Sequence, residues 1–476
     1  MRESQQQQVD ASETFDVAVI GAGVIGCAMA RRFTLEGARV VVLEKAADVL
    51  DGASKANSAI LHTGFDAPSD SLELACIRAG YAEYLEIRQS LNLPLFESGA
   101  MVLAWNAEQL AALPELMEQA RRNGVMDVQL LDSQQVLGLE PHLSPEVLGG
   151  FRVPGESLID PWSAPHAYLT QALLNGARLE LGWALSSARF ENHRWLLESP
   201  RGAVRARSVI NCAGLHGDTV EALLLGHAEF AIRPRKGQFV VYDKSAAQLL
   251  RHILLPVPTK ITKGIVVCRT VFGNVLVGPT AEEQDERETA TLDQPTLETL
   301  RQRGGEILPA LRDQPVTALY AGLRPASQAK EYQIRAEADW RYIAVGGIRS
   351  TGLSSALGTA QHVYRLYREQ LGGAHTPLAQ PLTPHQPNIS EHAPRAWEGA
   401  DNGGIVCHCE RATRAEIEAA LSGPLPAHTL AGLKRRTRVT MGRCQGFYCS
   451  AALAQLSEGK LERPLGQPLD EGAAHE

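Results

Sequence analysis

The stretch Phe15–Glu44 constrains this chain more than any other. "FDVAVI" is an apolar, β-branched run that reads as a buried strand. "GAGVIG" follows, and then Ile25, Met29 and Phe33 recur at helical spacing until Gly37 closes the run. "ARVVVLEK" reads as a second buried strand. Strand, glycine turn, helix and strand make a βαβ unit with Gly21, Gly23 and Gly26 spaced G-x-G-x-x-G. Each glycine has a separate job. Gly21 permits the tight turn, Gly23 lets a pyrophosphate approach the backbone, and Gly26 lets helix and strand pack closely. The helix N-terminus supplies free N–H groups and positive dipole to the phosphates. Glu44, 18 residues beyond Gly26, is placed to accept from ribose hydroxyls. The competing reading, a glycine-rich turn that binds nothing, lacks a reason for this ordered context.

The rest of the chain is mixed α/β. Helices are expected over 106–124, 163–177, "TLETLRQRGGEILPAL" and "GTAQHVYRLYREQLGG". Strand-like runs include "ARLELGWAL", "RARSVINCAG", "GQFVVYD", "GNVLVGP" and "WRYIAVGG". With 476 residues, two or three domains are expected, and the chain can bury large cores without disulfides. A net charge of −8 and no basic tract of five or more argue against nucleic acid. Residues 1–13 are polar and Gln-rich, read as a disordered tail, and lack the pattern of a secretory leader. No apolar run is long enough to span a membrane. The expected location is cytoplasmic, with peripheral membrane association only through a partner.

The dinucleotide fingerprint alone does not separate FAD from NAD. Further segments do: "DGASKANSAILHTGFD", "VINCAGLHGD", "PRKGQF", "GNVLVGPTAEE", "YAGLRP" and "VGGIRSTGLSSALG". Over residues 14–370 the chain resembles the FAD-dependent D-amino-acid-oxidase-like superfamily, in the branch of glycerol-3-phosphate dehydrogenase and L-2-hydroxyglutarate oxidase. The resemblance implies an α/β body. A Rossmann-like FAD domain would come from about 14–80, 150–215 and 325–370, and a mixed-sheet substrate domain from about 81–149 and 216–324. It implies cofactor contacts at Gly21, Gly23, Gly26, Glu44, Lys45, Ser54, Asn57 and Ser58, at Ala213 and Gly214, and at Gly347, Ser350, Thr351, Gly352 and Leu353. It also places Arg324 and Arg349 near a substrate anion, which the planar guanidinium suits. The alternative for each arginine is a structural ion pair or a flavin contact. His62 is the candidate base for the proton lost as hydride leaves; a hydrogen-bonded cofactor contact or covalent FAD attachment compete with that role. Lys260 and Lys263 are weaker candidates for the pocket rim.

The cysteines are gathered at the far end. Cys407, Cys409, Cys444 and Cys449 are four of eight, spaced C-x-C, 34 residues, then C-x4-C. Zinc sites usually favour C-x2-C knuckles, often with histidine, and four cysteines in two unequal pairs also suit a [2Fe–2S] cluster held by thiolates. "VCHCERATRAEI" and "TRVTMGRCQGFYC" resemble the bacterioferritin-associated-ferredoxin-like [2Fe–2S] domain, a small helical unit expected over 405–462, with residues 463–476 left as a tail. The second pair departs from the C-x2-C of the stand-alone ferredoxin. His408 is expected not to ligate. Arg411, Arg414, Lys434, Arg435, Arg436 and Arg443 are expected to offset the cluster's negative charge. Residues 371–404 are Pro-rich and read as a linker, able to span up to roughly 100 Å if extended.

Together these features imply an FAD-dependent dehydrogenase acting on a CH–OH or CH–NH group of a small anionic substrate. Glycerol 3-phosphate and 2-hydroxy acids are favoured over amino acids or opines. Electrons would pass through the [2Fe–2S] centre to a companion flavin or iron–sulfur subunit or another acceptor. Two other classes compete: a non-catalytic electron-transfer subunit, and a NAD-binding protein with a zinc tail.

Overall fold

A computed structural model describes residues 13–258 and 264–467; Lys260 and Lys263 lie outside these. The opening βαβ unit forms as its pattern dictates. Strand Thr14–Ile20 leads into helix Val24–Leu35, and strand Val40–Leu43 returns parallel to the first. The helix ends at Gly37, whose φ of +94° is the left-handed close that glycine adopts without strain. Val17, Val19, Val40 and Val42 are fully buried, as parallel strands covered on both faces must be.

Strand Gly202–Asn211 joins the other side of Thr14–Ile20 in parallel, and Arg178–Glu180 flanks Val40–Leu43. The far edge of Gly202–Asn211 is shared. Its first half pairs with Arg194–Ser199 and its last residues with Tyr342–Gly346, completing an eight-stranded sheet. Only Arg178–Glu180 of "ARLELGWAL" is strand. One helix not expected, Leu72–Ile87, packs on Gly352–Gln370. A Cβ at Gly80 would lie 2.2 Å from Ser354 O, and one at Gly358 2.1 Å from Cys76 O, so the two backbones meet at glycine-sized distance.

A nine-stranded mixed sheet forms the second layer. Its long members, Ile232–Tyr242 and Val316–Ser327, are antiparallel along nearly their whole length. A third, small sheet of Ile60–Leu61, Ser157–Ile159 and Leu95–Phe96 is hydrogen-bonded to neither but packs into both cores, Ile60 and Leu158 in one, Leu61 and Ile159 in the other.

Segment 371–404 holds one short 3₁₀ turn and no strand, yet it is bonded to the body throughout. Leu378 N donates to Leu35 O, Leu382 N to Asn175 Oδ1, Gln386 N to Leu91 O and Glu391 N to Val271 O. Proline denies the segment a ladder of its own, and the remaining N–H groups find acceptors on the body. After this strap comes the tail: a hairpin of Ile405–Cys407 and Ala412–Thr413, then helices Arg414–Ala420, Leu430–Thr437 and Ser450–Leu456. Ile417, Leu433, Val439 and Leu453 form its own core. Among the described residues, no helix is long and apolar enough to cross a membrane.

Candidate functional site

The glycine turn is shaped by close approach. Gly21 has φ +100°, and a Cβ there would lie 2.6 Å from Cys212 O. A Cβ on Gly26 would lie 1.8 Å from Gly21 O, so only glycine lets this helix meet this strand. Above Gly23, Ser54 Oγ accepts from Val24 N at 2.9 Å. Glu44 receives Ala22 N on one carboxylate oxygen and Ala46 N on the other. Burial raises its carboxyl, and these two donors oppose the rise. Ala213 Cα lies 3.2 Å from where a Gly21 Cβ would sit, which puts the Ala213–Gly214 turn across from Gly21. Gly214 has φ +54°. Lys45 turns elsewhere: its half-exposed amine bonds Glu288 and His216. Glu288 lies 243 residues along the chain and bears no sequence sign of this pairing.

The loop after the second strand is closed on itself and then roofed. Asn57 Nδ2 donates to Ser54 O and its Oδ1 accepts from Ala59 N; Ser58 lies half-buried between them. From the second sheet, Tyr320 Oη donates to Asn57 O at 2.7 Å, and a Cβ on Gly322 would touch Ala56 Cβ at 2.5 Å. Alternation along Val316–Ser327 puts Arg324 on the face of Tyr320 and Gly322. Arg324 donates to the carbonyls of Arg235, Lys236 and Thr280. Burial, reinforced by Arg235, pushes its guanidinium down to about 10, against the pull of Glu283 and Glu282.

His62 is held by Glu156 at its ring and by Ser354 at its backbone. The pairing of Ile60 with Leu158 and Leu61 with Ser157 continues to set His62 opposite Glu156. Glu156 is fully buried and contacts His62 Nδ1 at 2.8 Å. Its other oxygen accepts from Thr63 N and Oγ1. His62 N donates to Ser354 Oγ, which ties the histidine to the late glycine-rich segment. Glu156 and Ser354 were not anticipated; the first reads as one acid among many, and only strand register reveals its partner.

The late segment divides into parts. Gly347 has φ +68°. Arg349 donates to Ala329 O and Ser327 O, while its Nε is buried with no partner among the described residues. Ser350 is exposed. Thr351 bonds Glu73 and Tyr332 and precedes helix Gly352–Gln370, which has no side-chain cap at its N-terminus. Leu353 packs against the main core. Thr351 is thus engaged in packing the helix, and Arg349 in holding a turn.

Among the described residues no group of three or more His, Cys, Asp or Glu side chains is arranged to hold a single metal ion; the tail thiols stand as two neighbouring pairs. The Cys409 thiol is hydrogen-bonded with Cys444 and the Cys449 thiol with Cys407, and all four are free cysteines. Two thiols for each of two irons is the ligand count of an all-thiolate [2Fe–2S] cluster. The backbone N–H of Tyr448 bonds Cys444 and holds its thiol below the ordinary value, with Gly446 and Phe447 acting the same way. Such donors stabilise a thiolate. Left-handed backbone at Arg411, Arg438, Thr440 and Gln445 bends the surrounding loops. His408 is exposed. The basic residues expected to offset the cluster's charge are also engaged with acids. Arg436 pairs with Asp48, Arg435 with Asp51, Arg443 with Asp243 and Arg411 with Glu391. These pairs tie the tail to the body and the strap, and Arg443 still acts electrostatically on Cys409.

Residues 16–366 match the FAD dependent oxidoreductase family. This chain belongs to that family. Residues 405–457 of the oxidoreductase match the BFD-like [2Fe-2S] binding domain. A glycerol 3-phosphate dehydrogenase of Caloramator mitchellensis is 30% identical, with 96% of each chain covered. One component of the anaerobic glycerol-3-phosphate dehydrogenase of Escherichia coli is 24% identical over 94% of this chain and 88% of its own. The structure of L-alpha-glycerophosphate oxidase from Mycoplasma pneumoniae, with FAD bound, superposes with a TM-score of 0.71 at 27% identity. It covers 78% of this chain and 97% of its own. The oxidoreductase therefore has an FAD-binding body and a [2Fe–2S]-binding tail. The glycine cradle, which any Cβ would fill, and the paired thiols fit these groups.

Proposed function

We propose that this chain is a dehydrogenase that oxidises the secondary alcohol of glycerol 3-phosphate and passes the electrons through its own tail. The observation that carries this reading is the His62–Glu156 pair, tied by Ser354 to the late helix Gly352–Gln370. Bound FAD supplies the hydride acceptor. Glu156 accepts from Nδ1–H, which leaves Nε2 as the basic nitrogen to take the hydroxyl proton. The buried carboxylate also stabilises the imidazolium that results. Arg324 supports the phosphate role: its guanidinium is buried on the face that roofs the loop, and an anion would relieve its low-dielectric surroundings. Likeness to the Caloramator enzyme over nearly the whole of both chains favours phosphate over carboxylate. A four-cysteine tail suits a one-electron acceptor rather than direct use of dioxygen, and a companion redox subunit is the partner this arrangement serves.

The test is anaerobic bleaching of the flavin absorption by glycerol 3-phosphate, with L-2-hydroxyglutarate and glycine in parallel. Bleaching by the phosphate at low concentration supports the reading. Bleaching by the hydroxy acid alone would move the substrate to the 2-hydroxy acids. Bleaching by none would favour a relay subunit.

A further inference from the structure

The body and the tail touch at one aromatic contact that none of the roles above uses. Trp162 stands at the start of helix Ser163–Leu174, and its Nε1 donates to Lys55 O in the loop beneath Tyr320. Asp160, fully buried, pins the Trp162 backbone by accepting from its N–H. The indole stacks on Phe272, with centroids 5.6 Å apart and planes 15° from parallel. Over Phe272 lies Arg438 of the tail, its Cζ 4.0 Å from the ring centroid. Arg438 Nε then bonds Glu410 at 2.8 Å, and Glu410 is the neighbour of Cys409. Phe272 and Arg438 are both almost fully buried. Lys244 reaches the same Glu410 oxygen from the body.

We propose that Trp162, Phe272 and Arg438 form the contact that carries electrons from the flavin side of the body to the cysteine cluster. The inference rests on the FAD-to-cluster direction proposed above. Substrate oxidation leaves two electrons on the flavin. With both groups bound, one would pass to the cluster and reduce one ferric ion to ferrous. The second follows once the cluster has given the first to a one-electron acceptor, and the released protons go to solvent. Electron transfer through protein falls steeply when bonded or touching atoms give way to a gap. This contact is touching throughout: side chains from three separated segments bridge the loop and the residue beside Cys409. Closely packed interiors leave no such gap, and a truncation at Phe272 would open one. The strap and the Asp48–Arg436 pair hold the tail in this place, so no swing of the tail is required.

The test separates two rates in one anaerobic stopped-flow experiment on the full chain with both cofactors: reduction of the flavin and reduction of the cluster. Phe272→Leu and Trp162→Leu are compared with Phe272→Tyr, which keeps the ring. Hydrogen exchange of amides 428–449 reports whether the tail stays docked. In the leucine variants, flavin reduction and amide protection are expected unchanged. Cluster reduction is expected to slow by about tenfold or more, the scale on which loss of close positioning acts. Phe272→Tyr restores it. Wild-type cluster reduction in both leucine variants overturns the proposal, as does a slowing seen only where protection is lost. If glycerol 3-phosphate fails to reduce the flavin, the proposed substrate is wrong. Photochemical reduction of the flavin then starts the same measurement.

Discussion

Asp48 of the body and Arg436 of the tail form an ion pair at 3.0 Å in which both side chains are almost wholly buried, 1% and 7% exposed. Asp48 also accepts from His428 N, and a Cβ on Gly432 would lie 1.8 Å from its Oδ2. The tail is seated on the segment just past the second strand of the FAD-binding sheet. Removing one partner of such a pair leaves the other charge buried and unpaired, at about 3–5 kcal/mol. Asp48→Ala is expected to undock the tail without unfolding the body. Exchange protection should fall in 428–449 and persist in 14–43. Equal protection in both regions would show that the strap and the remaining pairs suffice.

The His62–Glu156 contact predicts a graded loss. His62→Gln should lower kcat by about 10²–10⁴-fold, the range for a positioned general base. Glu156→Gln keeps the size of the side chain but not its charge, so its loss should be smaller and confined mainly to kcat. Steady-state kinetics with an artificial acceptor measures both. A Glu156→Gln variant more impaired than His62→Gln would mean that the carboxylate, not the imidazole, takes the proton.

Arg324 gives a pH dependence. Burial holds its guanidinium at about 10, below the ordinary 12.5. Between those values the folded chain binds fewer protons than the unfolded one, so this group's contribution to stability rises with pH. Three carbonyl acceptors keep the guanidinium a donor and a cation toward an anion. Arg324→Leu should raise KM for the phosphate substrate about tenfold or more with a smaller effect on kcat, measured by steady-state kinetics; an unchanged KM would remove Arg324 from the anion site.

Loss of the inner thiols should separate the two centres. Cys407 and Cys449 are almost fully buried. Cys407→Ser or Cys449→Ser is expected to remove the iron and the broad iron–sulfur absorption while leaving the flavin bands, which substrate should still bleach. Loss of flavin along with iron would show that the tail's order supports the body's site.

Gly26→Ala tests the cradle. With a Cβ only 1.8 Å from Gly21 O, helix and strand must separate, and FAD retention after gel filtration should drop. An unchanged flavin-to-protein ratio would show that the turn adapts.

Local sequence was enough for the opening βαβ unit and the roles available to Gly21, Gly23 and Gly26, while the two redox groups were read from resemblance to known families. A periodicity, a turn that only glycine can make, and a spacing of thiols are all written within a few dozen residues. The partners of the polar side chains came from the folded chain instead. Glu156 meets His62 across 94 positions through strand register, and Ser354 meets it across 292 through the packing of a late helix. Lys45 bonds Glu288, and the tail's arginines pair with Asp48, Asp51 and Asp243. The Pro-rich segment, whose composition signals only extended chain, is bonded along the body as a strap. A charge or an N–H group pairs with whatever the fold brings within a few ångströms, and that proximity is a property of the whole packed chain.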